Sequence, residues 1–476
     1  LMLWLVVALL IYIFQIFTIV LLEYKHPSKA VAWLLILFIF PLIGFVMYYF
    51  LAQEYTARLR VRKRGGWAHP EKRTRSIAIQ TVNRPEELNN PEMHRQERLF
   101  SLISALSESP ITSCNETRVL TNGQATFEAM LAAIREAKHH IHMEFYILRD
   151  DGIGTIFQQA LLARAKEGVK VRVVADGVGS IELRRKYLRT FKEAGVEFHW
   201  FLPLSVSFFR RRLNYRNHRK LLIVDGRIGF VGGINIGDDY LGLDRKLGFW
   251  RDTHLQVEGD AVYALQAIFL HDWTFVTGQS LALQELFPPH PCKGTDQVKM
   301  ISSGPDASWD AIQELFFGVL SSARERVWII TPYFIPDASV RLALKTAAVS
   351  GLDVRVIIPG KSDSRFVDWA SLSYVEELLQ AGVRFYQYQK GFAHAKTFLM
   401  DRTLGCVGTA NLDMRSFFSN FEVNAVLFEA AAVDRLEEDF LRDFGDSVEI
   451  DYNKFVTRSR GQRAAEAVMR LLSPLL

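Results

Sequence analysis

The chain has 476 residues, of which 49% are hydrophobic and 23% charged; this excludes a disordered protein and implies more than one structural unit. The net charge of +5 is confined to residues 53–100, which hold 11 Lys/Arg and 6 Asp/Glu, so the rest is neutral. A surface basic throughout for wrapping nucleic acid is therefore not indicated. Cys114, Cys292 and Cys406 are odd in number and far apart, and read as neither a disulfide framework nor a zinc set. A reducing compartment is the simpler expectation for them.

Leu1 to Leu22 and Ala30 to Gln53 contain no charged residue. A helix of about 22 residues rises roughly 33 Å, enough for the ~30 Å hydrocarbon core. The expectation is a hairpin of two transmembrane helices over residues 1–52, turning at Glu23–Lys29 and interrupted in its second arm by Pro41 and Gly44. A cleaved signal peptide fits less well, because no basic segment precedes the first run and a second follows at once. The chain opens on Leu rather than Met, which suggests a truncated or differently started N-terminus.

Residues 53–98 read as a basic linker. Arg58, Arg60, Arg62, Lys63 and Arg64 follow the second run directly. By the positive-inside rule they place the remainder of the chain in the cytoplasm. The same cluster suits an anionic membrane surface, or serves as a topology signal alone.

From Leu99 onward helical and strand-like segments alternate, as in an α/β fold, and the pattern is written twice. AKHHIHMEFYI (137–147) resembles ARERVWIITPYF (323–334), EGVKVRVVADG (167–177) resembles SGLDVRVIIPG (350–360), and KEAGVEFHWF (192–201) resembles LQAGVRFYQY (379–388). The expectation is a duplicated unit, with a first half at 99–290 and a second at 291–476. The two form one bilobed domain about a pseudo-two-fold axis, where equivalent loops meet.

The chemistry lies in NHRKLLIVDGRIGFVGGIN and AHAKTFLMDRTLGCVGTAN. The first supplies His218, Lys220, Asp225 and Asn235; the second supplies His394, Lys396, Asp401, Thr409 and Asn411. His and Lys stand two apart on a strand and so share a face. A lone His-x-Lys carries no information, but two matched copies within a duplicated unit mark a site. Two lysines and two asparagines can hold a phosphate, one neutral His can attack phosphorus, and the other can carry the proton. No metal or cofactor is called for. Asp225 and Asp401 read as turn-closing residues. Asp252 and Glu422, 34 and 28 residues after the histidine of their own half, are the expected partners that orient each imidazole. Thr409, where the first half has Gly233, is a candidate extra hydroxyl for the phosphate.

These paired motifs resemble the phospholipase D superfamily across nearly all of the chain after the linker. More narrowly, PSKAVAWLL (27–35), ITPYFIPD (330–337), HAKTFLMD (394–401), GTANLDMRSFFSNFE (408–422) and RLLSPLL (470–476) resemble the bacterial cardiolipin synthases. The resemblance implies a multi-pass protein of the bacterial inner membrane that needs no cofactor, with phosphatidylglycerol as both donor and acceptor. It implies a phosphatidyl-His intermediate, His218 as nucleophile and His394 as acid/base. Hydrolysis, or transfer to another alcohol, uses the same histidines and stays open. A nucleic-acid phosphodiesterase and a catalytically inert scaffold are disfavoured by the neutral domain and by the intact motifs.

Three readings remain two-sided. Glu144, Tyr146 and Tyr333 either line the cleft or pack in the core. FLPLSVSFFRRRLNYR (201–216), an insertion relative to the second half, is either a lipid-dipping lid or a surface loop. The basic, then apolar, tail from Arg458 packs on the domain or on lipid.

Overall fold

A computed structural model describes residues 2–23, 27–51, 79–203, 215–282, 285–307 and 309–473. The basic run 58–64 and most of the 201–216 insertion lie outside the described residues.

The N-terminal region forms α1 (Met2–Leu22), α2 (Pro27–Ile39) and α3 (Pro41–Leu51). Pro41 has no N–H to continue the ladder, so the second apolar run divides into helices of 13 and 11 residues. These rise about 20 and 17 Å, each short of a bilayer core. α1 has 21 residues. Among the described residues no helix is long and apolar enough to cross a membrane. Ile19, Trp33, Leu37 and Tyr48 form a small buried cluster between the helices, while Leu3, Trp4, Phe14, Phe17 and Phe38 project outward.

The rest is α/β. The strands are β1 (Thr81–Val82), β2 (Ile111–Thr112), β3 (Asn115–Thr121), β4 (His140–Phe145), β5 (Lys170–Asp176), β6 (Glu197–Phe201), β7 (Arg216–Asn217), β8 (Lys220–Val224), β9 (Ile228–Gly232), β10 (Phe249–Arg251) and β11 (Thr253–Gly259). They continue as β12 (Val298–Ser303), β13 (Arg326–Ile330), β14 (Phe334–Ile335), β15 (Asp353–Pro359), β16 (Arg384–Tyr388), β17 (Gly391–Ala393), β18 (Thr397–Met400), β19 (Leu404–Gly408), β20 (Leu412–Asp413), β21 (Asn420–Leu427) and β22 (Ser447–Glu449).

The first sheet runs β3-β11-β9-β8-β4-β5-β6. The second contains β12-β21-β19-β18-β13-β15-β16 in the same order, extended by β1 and β2 at one edge and β22 at the other. Identical strand order establishes the duplication read from the sequence. Apolar residues of both sheets and of the helices Ala261–Thr277 and Ala430–Gly445 share one core between the halves. Each sheet also buries its outer face beneath its own helices.

Two boundaries differ from expectation. Residues 79–98, read as linker, and 99–112, read as first half, pack on the second half. Val82, Leu88, Met93, Leu99, Phe100, Ile103 and Ile111 join its outer core, and β2 pairs with β12. The apolar positions in 82–93 are sparse because they sit on turns and one short strand, so no helical or strand period announces them. Cys114 and Cys292, read as unpaired, form a disulfide across 178 residues of sequence, whereas Cys406 is free and buried. Spacing cannot reveal such a pair, because the segment joining the halves returns to the edge of the first sheet. The helix Arg460–Leu472 packs on the helix Arg365–Gln380; Arg470 reaches Glu377 and the Ser373 carbonyl.

Candidate active site

Two short parallel ladders join the halves. β7 pairs with the start of β21, setting Asn420 against Arg216 and Phe421 against Asn217. β10 pairs with β17, setting Trp250 against Phe392 and Arg251 against Ala393. Each ladder ends at a motif histidine: the His218 N–H donates to the Phe421 carbonyl at 2.9 Å, and the His394 N–H to the Arg251 carbonyl at 2.7 Å.

The next residue on each partner strand is the acid. His218 Nδ1 lies 3.0 Å from Glu422 Oε2, and His394 Nδ1 lies 2.7 Å from Asp252 Oδ2. Both expected acids orient an imidazole, but the pairing is crossed: each histidine takes its carboxylate from the other half. Pairing within a half assumed that sequence proximity survives folding, and the two ladders exchange the partners instead.

Each acid has its own support. The Thr253 N–H donates to Asp252 Oδ1 at 2.8 Å, and a Cβ on Gly233 would sit 2.0 Å from that oxygen, so glycine leaves the space the carboxylate fills. In the second half Thr409 takes the glycine's place, and its hydroxyl donates to Glu422 at 2.5 Å. Asn420 Nδ2 donates to the other Glu422 oxygen at 3.2 Å. Thr409 is fully buried and serves the acid rather than a phosphate.

The histidines face a cavity of about 460 Å³ together with Asn235 and Asn411. Lys220 and Lys396 are buried beside them, each Nζ 2.5 Å from the carbonyl oxygen of its own histidine. Asn235 is held by the Ile147 N–H and the Tyr240 hydroxyl, whereas Asn411 Oδ1 is buried with no hydrogen-bond partner among the described residues. Tyr146 and Tyr333 line the cavity. Glu144 does not; it is buried in a network with Asn217, Asp272 and Arg219.

Asp225 and Asp401 take no part in this cluster. Each lies five residues beyond its lysine, about 16 Å along a strand. Asp225 accepts the N–H groups of Lys138, His139 and His140; Asp401 accepts those of Arg324, Glu325 and Arg326. Both have positive φ, 54° and 50°, as the tight turn requires. They tie the turn after one strand to the start of its neighbour.

Burial dominates the electrostatics. It lowers His218 to about 4, against the pull of Glu422, and lowers His394 well below its usual value. Glu422 is held down at about 2, chiefly by His218, against its own burial; burial raises Asp252 to about 6. Lys396 falls to about 8, again through burial, and Lys220 falls well below the usual lysine range. Burial thus favours the neutral imidazoles, the nucleophilic form. An anionic phosphate diester would restore charge to the cations around it. Among the described residues, no three or more His, Cys, Asp or Glu side chains are arranged to hold a metal ion.

Arg216 and Arg415 also line the cavity, and the sequence reading missed both. Arg216 stands two residues before His218 on its strand, a spacing that could have flagged it.

Two histidines in matched motifs of a duplicated α/β unit, facing one cavity, define a phospholipase D-like protein. The family model described as cardiolipin synthase, phospholipase D-like domain, matches residues 130–273 and 317–444; one described as phospholipase D-nuclease N-terminal matches residues 5–53. Cardiolipin synthase of Alkalihalophilus pseudofirmus is 44% identical over 460 residues, covering 95% of this chain and 90% of that protein. Cardiolipin synthase of Halalkalibacterium halodurans is 43% identical over 464 residues, covering 96% and 91%. A solved phosphatidylserine synthase of Haemophilus influenzae shares the fold, with a TM-score of 0.62 at 13% identity, over 80% of this chain and all of that one. The chain belongs to the bacterial cardiolipin synthases, phosphatidyltransferases of the phospholipase D superfamily.

Proposed function

We propose that the chain joins two molecules of phosphatidylglycerol into cardiolipin and releases glycerol. The observation that carries this reading is the crossed pair of His–carboxylate couples facing one cavity, in a chain of this family. His218 Nε2 attacks the phosphorus of the first phosphatidylglycerol, forming a P–N bond. The P–O bond to the headgroup glycerol breaks, and His394, protonated, gives that oxygen its proton. A primary hydroxyl of the second phosphatidylglycerol then passes its proton to His394 and attacks phosphorus. The P–N bond breaks, and cardiolipin leaves with His218 restored. Glu422 and Asp252 fix the tautomers and stabilise the imidazolium forms. Lys220, Lys396, Asn235 and Asn411 hold the non-bridging oxygens.

The N-terminal helices anchor the chain in the bacterial inner membrane. The charge-free α1 and the outward apolar side chains of these helices support this. A catalytic region on the cytoplasmic side, where donor and acceptor would arrive in the plane of one leaflet, is supported by the basic run 58–64 through the positive-inside rule. The test is product analysis of the protein in detergent with phosphatidylglycerol alone. Cardiolipin with equimolar glycerol is expected; phosphatidic acid in its place means that water is the acceptor.

A further inference from the structure

In a duplicated site the equivalent histidines, lysines and asparagines carry no direction; the positions that differ between the halves do. Two such positions break the symmetry of the cavity in the same sense. Two residues before the histidine, the first half has Arg216 and the second has Phe392. Four residues after the asparagine, the second half has Arg415 and the first has Asp239.

Arg216, Arg415 and Asp239 all line the cavity, while Phe392 is packed in the core. The folding of the halves against one another brings both arginines to the wall beside Tyr146 and His218. Burial raises the Tyr146 pKa and both arginines oppose that rise; burial, and then the charge of Arg415, lowers that of Arg216. Arg216 is buried and anchored: its guanidinium donates to the Leu202 carbonyl at 3.2 Å and lies 4.0 Å from Asp176. Arg415 is half-buried. Asp239, its counterpart across the pseudo-dyad, is already paired with Arg149 at 3.0 Å. Arg149 lines the cavity too but is paired with Glu182 and Asp239, so Arg216 and Arg415 make the cationic wall on the His218 side.

We infer that Arg216 and Arg415 form a second phosphate subsite, which takes the phosphodiester of the acceptor lipid while the first phosphate occupies the histidine pair. This rests on the proposed reaction, in which the acceptor hydroxyl is joined through a three-carbon glycerol to a phosphate of its own. Water and simple alcohols lack that second anion. A guanidinium offers paired donors in a planar fork that matches phosphate oxygens, so it can fix the acceptor with its hydroxyl directed at phosphorus. Arg415 and Arg216 are positioning residues here, setting which alcohol completes the transfer.

The test is a competition in one tube. Wild-type protein and Arg415→Gln, with Arg415→Lys as the conservative control, receive phosphatidylglycerol with a fixed concentration of ethanol, and cardiolipin and phosphatidylethanol are quantified. Arg415→Gln is expected to lower the ratio of cardiolipin to phosphatidylethanol by about tenfold, the effect of losing one charge-assisted contact. Arg415→Lys is expected to recover part of the ratio. An unchanged ratio overturns the subsite, whether or not total turnover falls, because a residue serving the donor phosphate or the fold depresses both products alike. Inhibition by inorganic phosphate that Arg415→Gln relieves, with the ratio unchanged, overturns it too, since the site then binds phosphate but not the acceptor's. Failure of the proposed reaction itself looks different: the wild type then makes phosphatidylethanol and no cardiolipin.

Discussion

His218, from the first half of the duplicated unit, meets Glu422, from the second, at 3.0 Å, and His394 meets Asp252 in the reciprocal sense at 2.7 Å. Neither motif histidine takes its carboxylate from its own half. The catalytic unit is therefore the pair of halves, held by the β7–β21 and β10–β17 ladders.

Crossed pairing has a spectroscopic signature. With ¹⁵N-labelled histidine, Glu422→Gln should move the His218 Nδ1 resonance and spare that of His394; Asp252→Asn should do the reverse. Both variants should lower turnover by roughly two to four orders of magnitude, as expected when a buried carboxylate no longer orients an imidazole. If Glu422→Gln moved His394 instead, the couples would lie within the halves.

His218→Ala and His394→Ala should each reduce cardiolipin formation to background. Alkaline quenching and mass spectrometry of the turning-over wild type should place a phosphatidyl adduct on the peptide containing His218. An adduct on the His394 peptide would exchange the two roles, and substantial turnover by either alanine variant would remove the two-histidine mechanism.

Asp225 and Asp401 should behave as folding residues. Asp401→Ala strands three backbone N–H donors and puts alanine at a φ of 50°; a loss of about 2–3 kcal/mol is expected. Asp225→Asn keeps an acceptor and tolerates positive φ, so its cost should be smaller. Thermal melting should show both losses, while kcat per folded molecule stays within a few-fold. A collapse of kcat at unchanged melting temperature would return these aspartates to the chemistry.

Activity should follow a bell in pH. Asp252, raised to about 6 by burial, must be ionised to support a protonated His394, so turnover falls as pH drops through about 6. Lys396, lowered to about 8 by burial in the free protein, must be charged to take up the phosphate, so kcat/KM falls as pH rises through about 8. Arginine keeps its charge throughout this range, so residual turnover by Lys396→Arg should lose the alkaline limb near 8. An alkaline limb that stays in place would assign it to another group.

The duplicated pattern, the two His-x-Lys motifs and the charge-free N-terminal runs were determined by the sequence itself. Local periodicity and repeated spacing are properties of the chain, and a strand places His and Lys on one face wherever it ends up. The turn role of Asp225 and Asp401 was legible for the same reason, since it is local to one strand exit. Which acid serves which histidine was not: that depends on two- and three-residue ladders between strands some 140 and 200 residues apart. Thr409 is a hydroxyl beside a phosphate motif in the sequence, but the fold turns it onto Glu422. The Cys114–Cys292 bond and the packing of residues 79–112 on the second half are likewise contacts between distant segments. Arg216 and Arg415 acquire meaning only when Arg216 of one half and Arg415 of the other reach the same wall. Tertiary structure decided these because charge, burial and pairing depend on what lies across the interface, and spacing along a single chain carries no record of that.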